Sequence, residues 1–413
     1  MRKKGMVVFL SGILLISGLC GCMGKNGAEN VDNNGGTAME TVDNKSEDSI
    51  AEGTVPEAKE DEQVLTIADI SSVELVAQMK IGWNLGNTLD ASGGMGIMSE
   101  MAWGNPKTKQ EMIDAVLEQG FNVIRIPVTW DGHFGEAPEY KIHDIWLQRV
   151  KEVVDYAYNK GAYVILNTHH EEWYFPSEEN KETNAEQITA LWTQIAEYFK
   201  EYDEHLIFEG LNEPRKRGTS VEWTGDGEAR EVINYWEQVF VETVRATGGN
   251  NTLRHLMITG YAASSSRTNL AAMKLPEDDK LIVSVHAYTP YNFALNKNGT
   301  ATWDVTKDAR DIDTLMKDLN ELFISKGIPV IIGEFGAMNK ENEAERVEWV
   351  TYYLTKAEEI GVPCVWWDNN AFTGSGENFG IFDRRELIFP YPDLLAAMME
   401  AVNRENVADG AGE

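Results

Sequence analysis

Two glutamates, Glu213 and Glu334, each follow a short apolar run, "HLIFEGLNEP" (205–214) and "IPVIIGEFG" (328–336). Carboxylates are rarely buried unless they are paired or take part in chemistry. A protonated carboxyl can protonate a glycosidic oxygen while an ionised one attacks the anomeric carbon. Carboxyl groups roughly 5 Å apart suit hydrolysis with retention of configuration, and a gap of roughly 6.5–9.5 Å suits inversion. The pair therefore predicts sugar-bond chemistry.

Arg125 lies inside a third apolar run, "FNVIRIPV" (121–128), where a cation needs an anion. If Arg125 lies beside Glu334, it keeps that carboxylate ionised. Tyr288 can donate a hydrogen bond to the same carboxylate. Asn212 precedes Glu213, and adjacent strand residues point to opposite faces, so the strand has to twist or bulge for both to reach one ligand.

The run that contains Glu213 carries a second acidic residue, Glu209, which lies further back along the predicted strand. Counting back by twos from Glu213 places Leu211 and Glu209 on the same face of the strand. A carboxylate at that depth needs a cationic or hydrogen-bonding partner, and Arg125 is the candidate. We therefore interpret Glu209 as a support for the site and Glu213 as the group that meets the ligand.

Eight apolar runs alternate with amphipathic stretches from about residue 65, which predicts an α/β fold of the (β/α)8 TIM-barrel type over residues 65–405. The connection after the fifth run is the least helical, and "YPDLLAAMMEAVNRE" forms the last helix. The runs begin at residues 80, 121, 162, 205, 254, 280, 328 and 362.

Almost every run is apolar first and polar at its end, as expected if all strands converge on one catalytic face. His169, His170 and His286 end runs and fall on this face, as does Asn87. Metal catalysis is the rival interpretation. His169 and His170 are adjacent, however, and should diverge on a strand, so they are a poor chelating pair. We expect no cofactor and no catalytic metal, and leave a structural Ca²⁺ open.

Twelve tryptophans are many for this length, and flat aromatic rings stack on sugars. Five of them lie at strand ends or in loops of the predicted catalytic face: Trp103, Trp130, Trp173, Trp366 and Trp367. Four others lie in helical stretches and are assigned to the core: Trp146, Trp192, Trp236 and Trp349.

The N-terminal segment has the pattern of an export signal, with "MRKK" before an apolar run and "LCGCMG" after it. Residues 1–22 resemble a lipoprotein signal with Cys22 as the acylated residue; plain secretion is the alternative, and Cys20 fits less well. Residues 23–64 are polar and acidic and predict a disordered linker, with a short tail at 406–413. We expect an extracellular protein at a bacterial cell surface, held to the membrane only by that lipid.

The net charge of −31 argues against nucleic acid as a partner. A neutral polysaccharide is compatible with it, and we expect a monomer.

Nine ordered segments resemble glycoside hydrolase family 5, most closely its subfamily 4 endoglucanases. They are "GWNLGNTLDA", "WGNP", "GFNVIRIPVTW", "VILNTHHE", "FEGLNEPR", "VHAYTPY", "IIGEFGA", "WWDN" and "FGIFDRR". The resemblance covers residues 65–403 and implies a retaining endo-β-1,4-glucanase that acts on cellulose, mixed-linkage β-glucan or xyloglucan. It implies Glu213 as acid/base and Glu334 as nucleophile.

The same resemblance implies that Arg125 and Tyr288 hold the nucleophile and that Asn212 bonds the sugar 2-hydroxyl. His169 and His286 match residues that line the cleaved-sugar subsite. The "WWDN" segment supplies a stacking tryptophan, for which we favour Trp367 over Trp366. A β-mannanase or xylanase on the same scaffold, and a lipid-anchored glycan-binding protein without turnover, remain the alternatives.

Overall fold

Eight parallel strands close into a barrel in the order in which they occur along the chain. The structure is a computed structural model that describes residues 65–403. The predicted (β/α)8 barrel is confirmed, and each predicted run overlaps one strand. The strands are β1 (Ile81–Leu85), β2 (Val123–Ile126), β3 (Tyr163–Asn167), β4 (Leu206–Glu209), β5 (Leu256–Ser264), β6 (Leu281–His286), β7 (Val330–Phe335) and β8 (Cys364–Asp368).

Helices follow the strands and cover the outside of the barrel. After β5 there is only a four-residue helix, as the weak helical pattern there predicted. The helices are α1 (Ser72–Val76), α2 (Gln110–Glu118), α3 (Asp144–Tyr158), α4 (Lys181–Tyr198), α5 (Gly227–Ala246), α6 (Arg267–Leu270), α7 (Tyr291–Ala294), α8 (Val305–Asp308), α9 (Arg310–Leu322), α10 (Glu343–Glu358) and α11 (Pro392–Val402). Short 3₁₀ turns span Gly96–Met101, Gly249–Thr252 and Ile324–Lys326.

The core has two layers because strand side chains alternate between the two faces of the sheet. Ile165 and Ile207 face the barrel interior, where Leu75 and Val76 of α1 join them and close the amino ends of the strands. Outward-facing side chains such as Val164 pack against the helices, where the four helical tryptophans are fully buried as predicted. The interior is therefore a packed support for the opposite, carboxyl end of the barrel.

Irregular pairing is concentrated near the carboxyl ends of β5 to β8. The register shifts between Thr259 and Ser264 of β5, between Val285 and His286 of β6, and along the pairing of β7 with β8. Such shifts redirect the side chains that follow them. They lie where the candidate site residues begin.

The signal segment 1–22 with Cys22, the linker 23–64 and the tail 406–413 lie outside the described residues and stay predictions. Within residues 65–403, no helix combines the length and apolar character needed to cross a membrane.

Candidate active site

A cleft of about 1030 Å³ crosses the carboxyl face of the barrel, and both Glu213 and Glu334 line it. One carboxylate oxygen of each lies within 4.8 Å of the other, with a nitrogen of His286 in the same group. Glu213 lies in the loop after β4, and Glu334 lies near the end of β7. Two strands separate β4 from β7 in the barrel. The fold therefore brings together two carboxylates that are 121 positions apart in the sequence.

Glu334 at the end of β7 is held by two donors. Arg125 Nη1 donates to Oε1 at 2.9 Å, and the Tyr288 hydroxyl donates to Oε2 at 2.8 Å. Burial raises the pKa of Tyr288 well above its ordinary value, and the charge of Glu334 raises it further, so the phenol keeps its proton. Arg125 and Tyr288 thus fix both oxygens of Glu334, as predicted.

Glu209 is fully buried and satisfied by three neighbours. Arg125 Nε donates to Oε2 at 2.8 Å, Asn167 Nδ2 donates to Oε2 at 3.0 Å, and the Ser284 hydroxyl donates to Oε1 at 2.5 Å. Burial disfavours the charged form of Arg125, but Glu209 and Glu334 outweigh it and raise the pKa of the guanidinium. Glu209 is therefore the counter-ion of a buried cation, in line with its predicted supporting role.

The chain leaves β4 at Glu209, so Glu213 lies in the loop beyond it. The prediction that Leu211 shares a face with Glu209 is wrong, because Leu211 packs in the outer core layer with the helices. The bend occurs at Gly210, where an added Cβ would lie 2.5 Å from Phe240. This change of direction lets Asn212 and Glu213 both line the cleft.

Glu213 is partly exposed and contacts two basic residues. His286 Nδ1 lies 2.8 Å from Oε1, and Arg215 Nη1 donates to Oε2 at 3.1 Å. Burial raises the pKa of Glu213, but the hydrogen bond and charge of His286 and the charge of Arg215 prevail and lower it to about 2. Burial also disfavours the charged His286 ring, yet Glu334 and Glu213 raise the pKa of His286. Glu213 and His286 therefore share one proton beside the cleft.

The Asn212 side chain is oriented by Arg125, whose Nη2 donates to Asn212 Oδ1 at 2.7 Å. Since the oxygen is committed to the guanidinium, the Nδ2 group is left as a donor toward the cleft. One arginine therefore holds Glu209, Glu334 and Asn212 in fixed relation.

Proteins of known family are similar to this chain in sequence and in fold. The family model described as "Cellulase (glycosyl hydrolase family 5)" matches residues 88–373. Endoglucanase 1 from Ruminococcus albus is 56% identical over 333 residues, covering 80% of this chain and 81% of that protein. The chain belongs to glycoside hydrolase family 5.

Solved structures of the family resemble it over most of the barrel. A GH5-4 broad-specificity endoglucanase from Ruminococcus champanellensis with bound cellotriose is 49% identical, has a TM-score of 0.79, and covers 81% of this chain and 99% of that chain. A GH5 xyloglucan-specific endo-β-1,4-glucanase from a metagenomic library, in complex with cellotriose, is 44% identical with a TM-score of 0.78, covering 80% and 98%. The predicted family is confirmed, and this protein is a glycoside hydrolase.

His169 and His170 of this family 5 hydrolase touch each other, with ring centroids 4.4 Å apart. The prediction that they diverge is wrong, because β3 ends at Asn167 and strand alternation no longer applies. Asn167 Nδ2 donates to His169 Nδ1 at 3.1 Å, which leaves Nε2–H of His169 as a donor. Burial lowers the pKa of His169 well below its ordinary value and that of His170 to about 4, so both rings are neutral.

Asp90 lies next to these histidines, and ligand atoms of the three residues lie within 4.8 Å of one another. The Asp90 carboxylate already accepts from the backbone N–H groups of Asn87 at 3.0 Å and Thr88 at 2.6 Å. Burial raises the pKa of Asp90 to about 7 despite these bonds. Asp90 therefore holds Asn87 in its left-handed conformation, φ 55°, on the cleft wall.

The five loop and strand-end tryptophans divide into two groups. Trp103 and Trp367 line the cleft, and Trp367 lies parallel to His169 with centroids 5.7 Å apart. The remaining three are not part of the cleft wall, contrary to the prediction. Trp130 and Trp366 are fully buried and Trp173 is partly buried; their indole N–H groups donate to Asn167 O, Phe379 O and Glu171 Oε2 respectively.

The choice between Trp366 and Trp367 leads to a prediction. Trp367→Ala should lower kcat/KM on glucans about 10- to 100-fold by removing a sugar contact. Trp366→Phe should instead destabilise the fold by about 1–3 kcal/mol, because Phe379 O loses its buried donor, and should leave kcat/KM of the folded protein within about threefold. Urea unfolding and initial rates on both variants check this; the reverse pattern would contradict the assignment.

Several cleft residues have no counterpart among the predicted site residues, and three of them lie in the loops after β4 and β8: Arg215, Trp223 and Glu377. Arg215 follows Glu213 by two positions, Trp223 lies in a polar loop after β4, and Glu377 lies in the loop after β8. The sequence did contain a signal for Trp223, because a large aromatic residue in a polar, loop-like stretch such as "TSVEWTGDG" is unusual. The others depend on how the loops fold back over the barrel.

Proposed function

We propose that this protein is a retaining endo-β-1,4-glucanase, with Glu334 as nucleophile and Glu213 as acid/base. The observation that carries the proposal is the approach of the two carboxylates to within 4.8 Å in unlike surroundings. This bound lies near the roughly 5–5.5 Å between the carboxyl groups of retaining enzymes and is shorter than the roughly 6.5–9.5 Å of inverting enzymes.

In the first step, a Glu334 oxygen bonds to the anomeric carbon and the bond to the leaving oxygen breaks. Arg125 and Tyr288 hold both Glu334 oxygens, so the attacking atom is positioned before substrate arrives. In the second step, a water molecule attacks the anomeric carbon from the face that the leaving group left. The bond between that carbon and Glu334, on the opposite face, then breaks. Two displacements give net retention.

The leaving oxygen receives its proton from the Glu213–His286 pair. Before a sugar binds, this proton lies toward His286, because the hydrogen bond and charge of His286 lower the pKa of Glu213 to about 2. A bound sugar excludes water from Glu213 and favours its neutral form, so the proton crosses the 2.8 Å hydrogen bond. Glu213 then donates it, and later takes a proton from the attacking water.

The cleaved sugar is bound by neutral donors and an aromatic face. Asn212 Nδ2 is free to bond the 2-hydroxyl, and His169 Nε2–H to bond a neighbouring hydroxyl. Trp367 offers its ring to the C–H face of the sugar. Because donors are held by protein partners, little reorganisation is needed when substrate binds.

The pH dependence follows from the Glu213–His286 pair. The pKa of His286 is raised in the folded protein. The contribution of His286 to folding stability is therefore fully present below about pH 6.5 and is lost as the pH rises through the folded-state pKa. We expect the basic limb of kcat/KM to lie above about pH 6.5. His286→Gln should move that limb to lower pH and reduce kcat about 10- to 100-fold. An unmoved limb would show that His286 does not share the catalytic proton.

The substrate class rests on the relatives. Family members at 44–49% identity include a broad-specificity endoglucanase and a xyloglucan-specific endo-β-1,4-glucanase, both with cellotriose bound. We propose cellulose, mixed-linkage β-glucan and xyloglucan as substrates. Initial rates of the purified protein on carboxymethylcellulose, lichenan, xyloglucan, xylan and mannan test this, and mannan or xylan as the one good substrate would refute it. Proton NMR of early products should show retained configuration.

We further propose that the protein is exported, anchored by a lipid on Cys22, and monomeric. The apolar run before "LCGCMG" supports the first two parts. Cys22→Ser should abolish incorporation of labelled fatty acid and release the protein from the membrane fraction. Light scattering of the purified protein measures its molar mass and thereby tests whether it is a monomer.

A further inference from the structure

Gly210 is the point at which the chain leaves β4 and turns toward the cleft. It is buried and directly follows Glu209, the last residue of the strand. Its N–H donates to Met257 O of β5 at 3.0 Å. Its carbonyl oxygen accepts two side-chain hydrogen bonds, from Thr168 Oγ1 at 2.6 Å and from Trp192 Nε1 at 3.2 Å. Side chains from the loop after β3 and from α4 therefore hold the peptide group at which the chain turns.

The side of Gly210 that faces α5 is closed by packing. A Cβ added there would lie 2.5 Å from Phe240 and 2.7 Å from Glu237 Oε2. Glu237 is itself fixed, because its Oε1 accepts from the Thr259 N–H at 2.8 Å. Burial raises the pKa of Glu237 well above its ordinary value, and the charge of Glu209 raises it further, so Glu237 is a neutral acid. Gly210 therefore has no space to move toward α5.

The Thr168 hydroxyl has a fixed direction. Its single proton is given to Gly210 O, so its oxygen accepts the hydrogen bond from the Tyr174 hydroxyl at 2.9 Å. Burial raises the pKa of Tyr174 well above its ordinary value, so the phenol keeps the proton that it donates. Thr168 immediately precedes His169, and Gly210 precedes Glu213 by three positions. One buried bond thus joins the two chain segments that carry these cleft residues.

The far end of the same segment is anchored as well. Pro214 O accepts from the Ala262 N–H at 3.0 Å. Ala262 has a left-handed backbone, with φ 55°, and lies in the part of β5 where the register shifts. The segment 210–214 is therefore held at both ends, and the position of Glu213 between them depends on these anchors.

We propose that Thr168 is a positioning residue for the acid/base: by holding Gly210 O, it sets where Glu213 stands relative to the leaving oxygen. This inference rests on the proposed function, because it takes Glu213 as the acid/base. Without the Thr168 bond the segment is free to shift, and a displaced acid protonates the departing oxygen less effectively. Attack by Glu334 does not depend on this bond.

The test compares two substrates that differ in their need for an acid. The sugar that leaves from cellohexaose requires a proton, whereas 2,4-dinitrophenyl β-cellobioside releases a phenolate without one. Thr168→Val keeps the shape of the side chain and removes its hydroxyl. It should lower kcat/KM for cellohexaose at least about tenfold and leave that of the dinitrophenyl substrate within about twofold of the wild type. Thr168→Ser keeps the hydroxyl and should restore kcat/KM for cellohexaose to within about threefold.

Thr247→Val is the matched control. The Thr247 hydroxyl also donates to a carbonyl, Val244 O, at 2.6 Å and accepts from Asn251 Nδ2 at 2.8 Å. It is buried as Thr168 is, but it lies at the end of α5 and makes no contact with the segment 210–214 through these bonds. Thr247→Val should lower the thermal unfolding temperature as Thr168→Val does, yet keep the ratio of the two kcat/KM values within about twofold of the wild type.

Equal losses on both substrates in Thr168→Val would overturn the proposal, as would a change of the ratio in Thr247→Val of the same size, because Thr168 would then support only the fold. If Thr168→Val does not fold, Trp192→Phe removes the second, longer bond to the same carbonyl. It should give the same selective loss at about threefold, and an unchanged ratio there would refute the role of that carbonyl. If the wild type hydrolyses neither substrate, the glucanase assignment itself fails.

Discussion

Glu334→Gln should reduce hydrolysis of every glucan substrate by roughly 10⁴-fold or more, while the protein stays folded. The amide keeps the shape of the side chain but cannot form the glycosyl ester. The fold should tolerate the change because Arg125 keeps Glu209 as its counter-ion at 2.7 Å. Initial rates and urea unfolding measure the two effects separately.

Azide rescue distinguishes the two carboxylates by the configuration of the product. With 2,4-dinitrophenyl β-cellobioside, whose leaving group needs no acid, Glu334→Ala leaves space for azide and should give the α-glycosyl azide. Glu213→Ala should still form the glycosyl-enzyme, which azide then attacks to give the β-glycosyl azide. The opposite pattern would exchange the roles of Glu213 and Glu334.

The sequence predicts the barrel and the cleft because both depend on order along the chain. Parallel strands send their carboxyl ends to one face, so the residue that ends each run is placed there by topology alone. Arg125, Tyr288 and Glu334 fit this rule because they lie in strands or directly after them. Their contacts were predictable from charge, since a buried cation requires nearby anions.

Side-chain direction beyond the last paired residue was not predictable. Leu211 and His170 follow the ends of β4 and β3, where the two-residue period no longer holds. Trp366 and Trp367 have to point to opposite faces, but alternation does not say which face is the interior. In the structure, Val365 packs in the interior layer. Trp367 is two positions later and therefore faces the same way as Val365.

Some segments that identified the family act through buried polar contacts away from the sugar. Arg384 of "FGIFDRR" donates to Gly86 O at 2.9 Å and to Thr88 Oγ1 at 2.6 Å. Asn105 of "WGNP" donates to Asn87 O at 2.7 Å. These bonds tie the loops after β1 and β8 together and fix Asn87 on the cleft wall. Sequence motifs mark such positions but do not reveal which neighbour they hold.

Arg125→Met should both unfold the barrel more easily and inactivate it. The substitution leaves Glu209 and Glu334 buried without their cation, and breaking a buried ion pair in this way costs about 3–5 kcal/mol. Activity should fall by at least about 10³-fold, because Glu334 loses a positioning donor and Asn212 is no longer oriented. Urea unfolding and kcat/KM on soluble glucan measure both losses.

The double variant Arg125→Met, Glu209→Gln separates stability from catalysis. Neutralising Glu209 removes the carboxylate that no substrate reaches, and it should recover a large part of the lost free energy of unfolding. It cannot restore the bond to Glu334 Oε1, so activity should remain at the level of the single variant. If activity instead returned together with stability, Arg125 would act on catalysis only through the fold, and its direct hold on the nucleophile would be refuted.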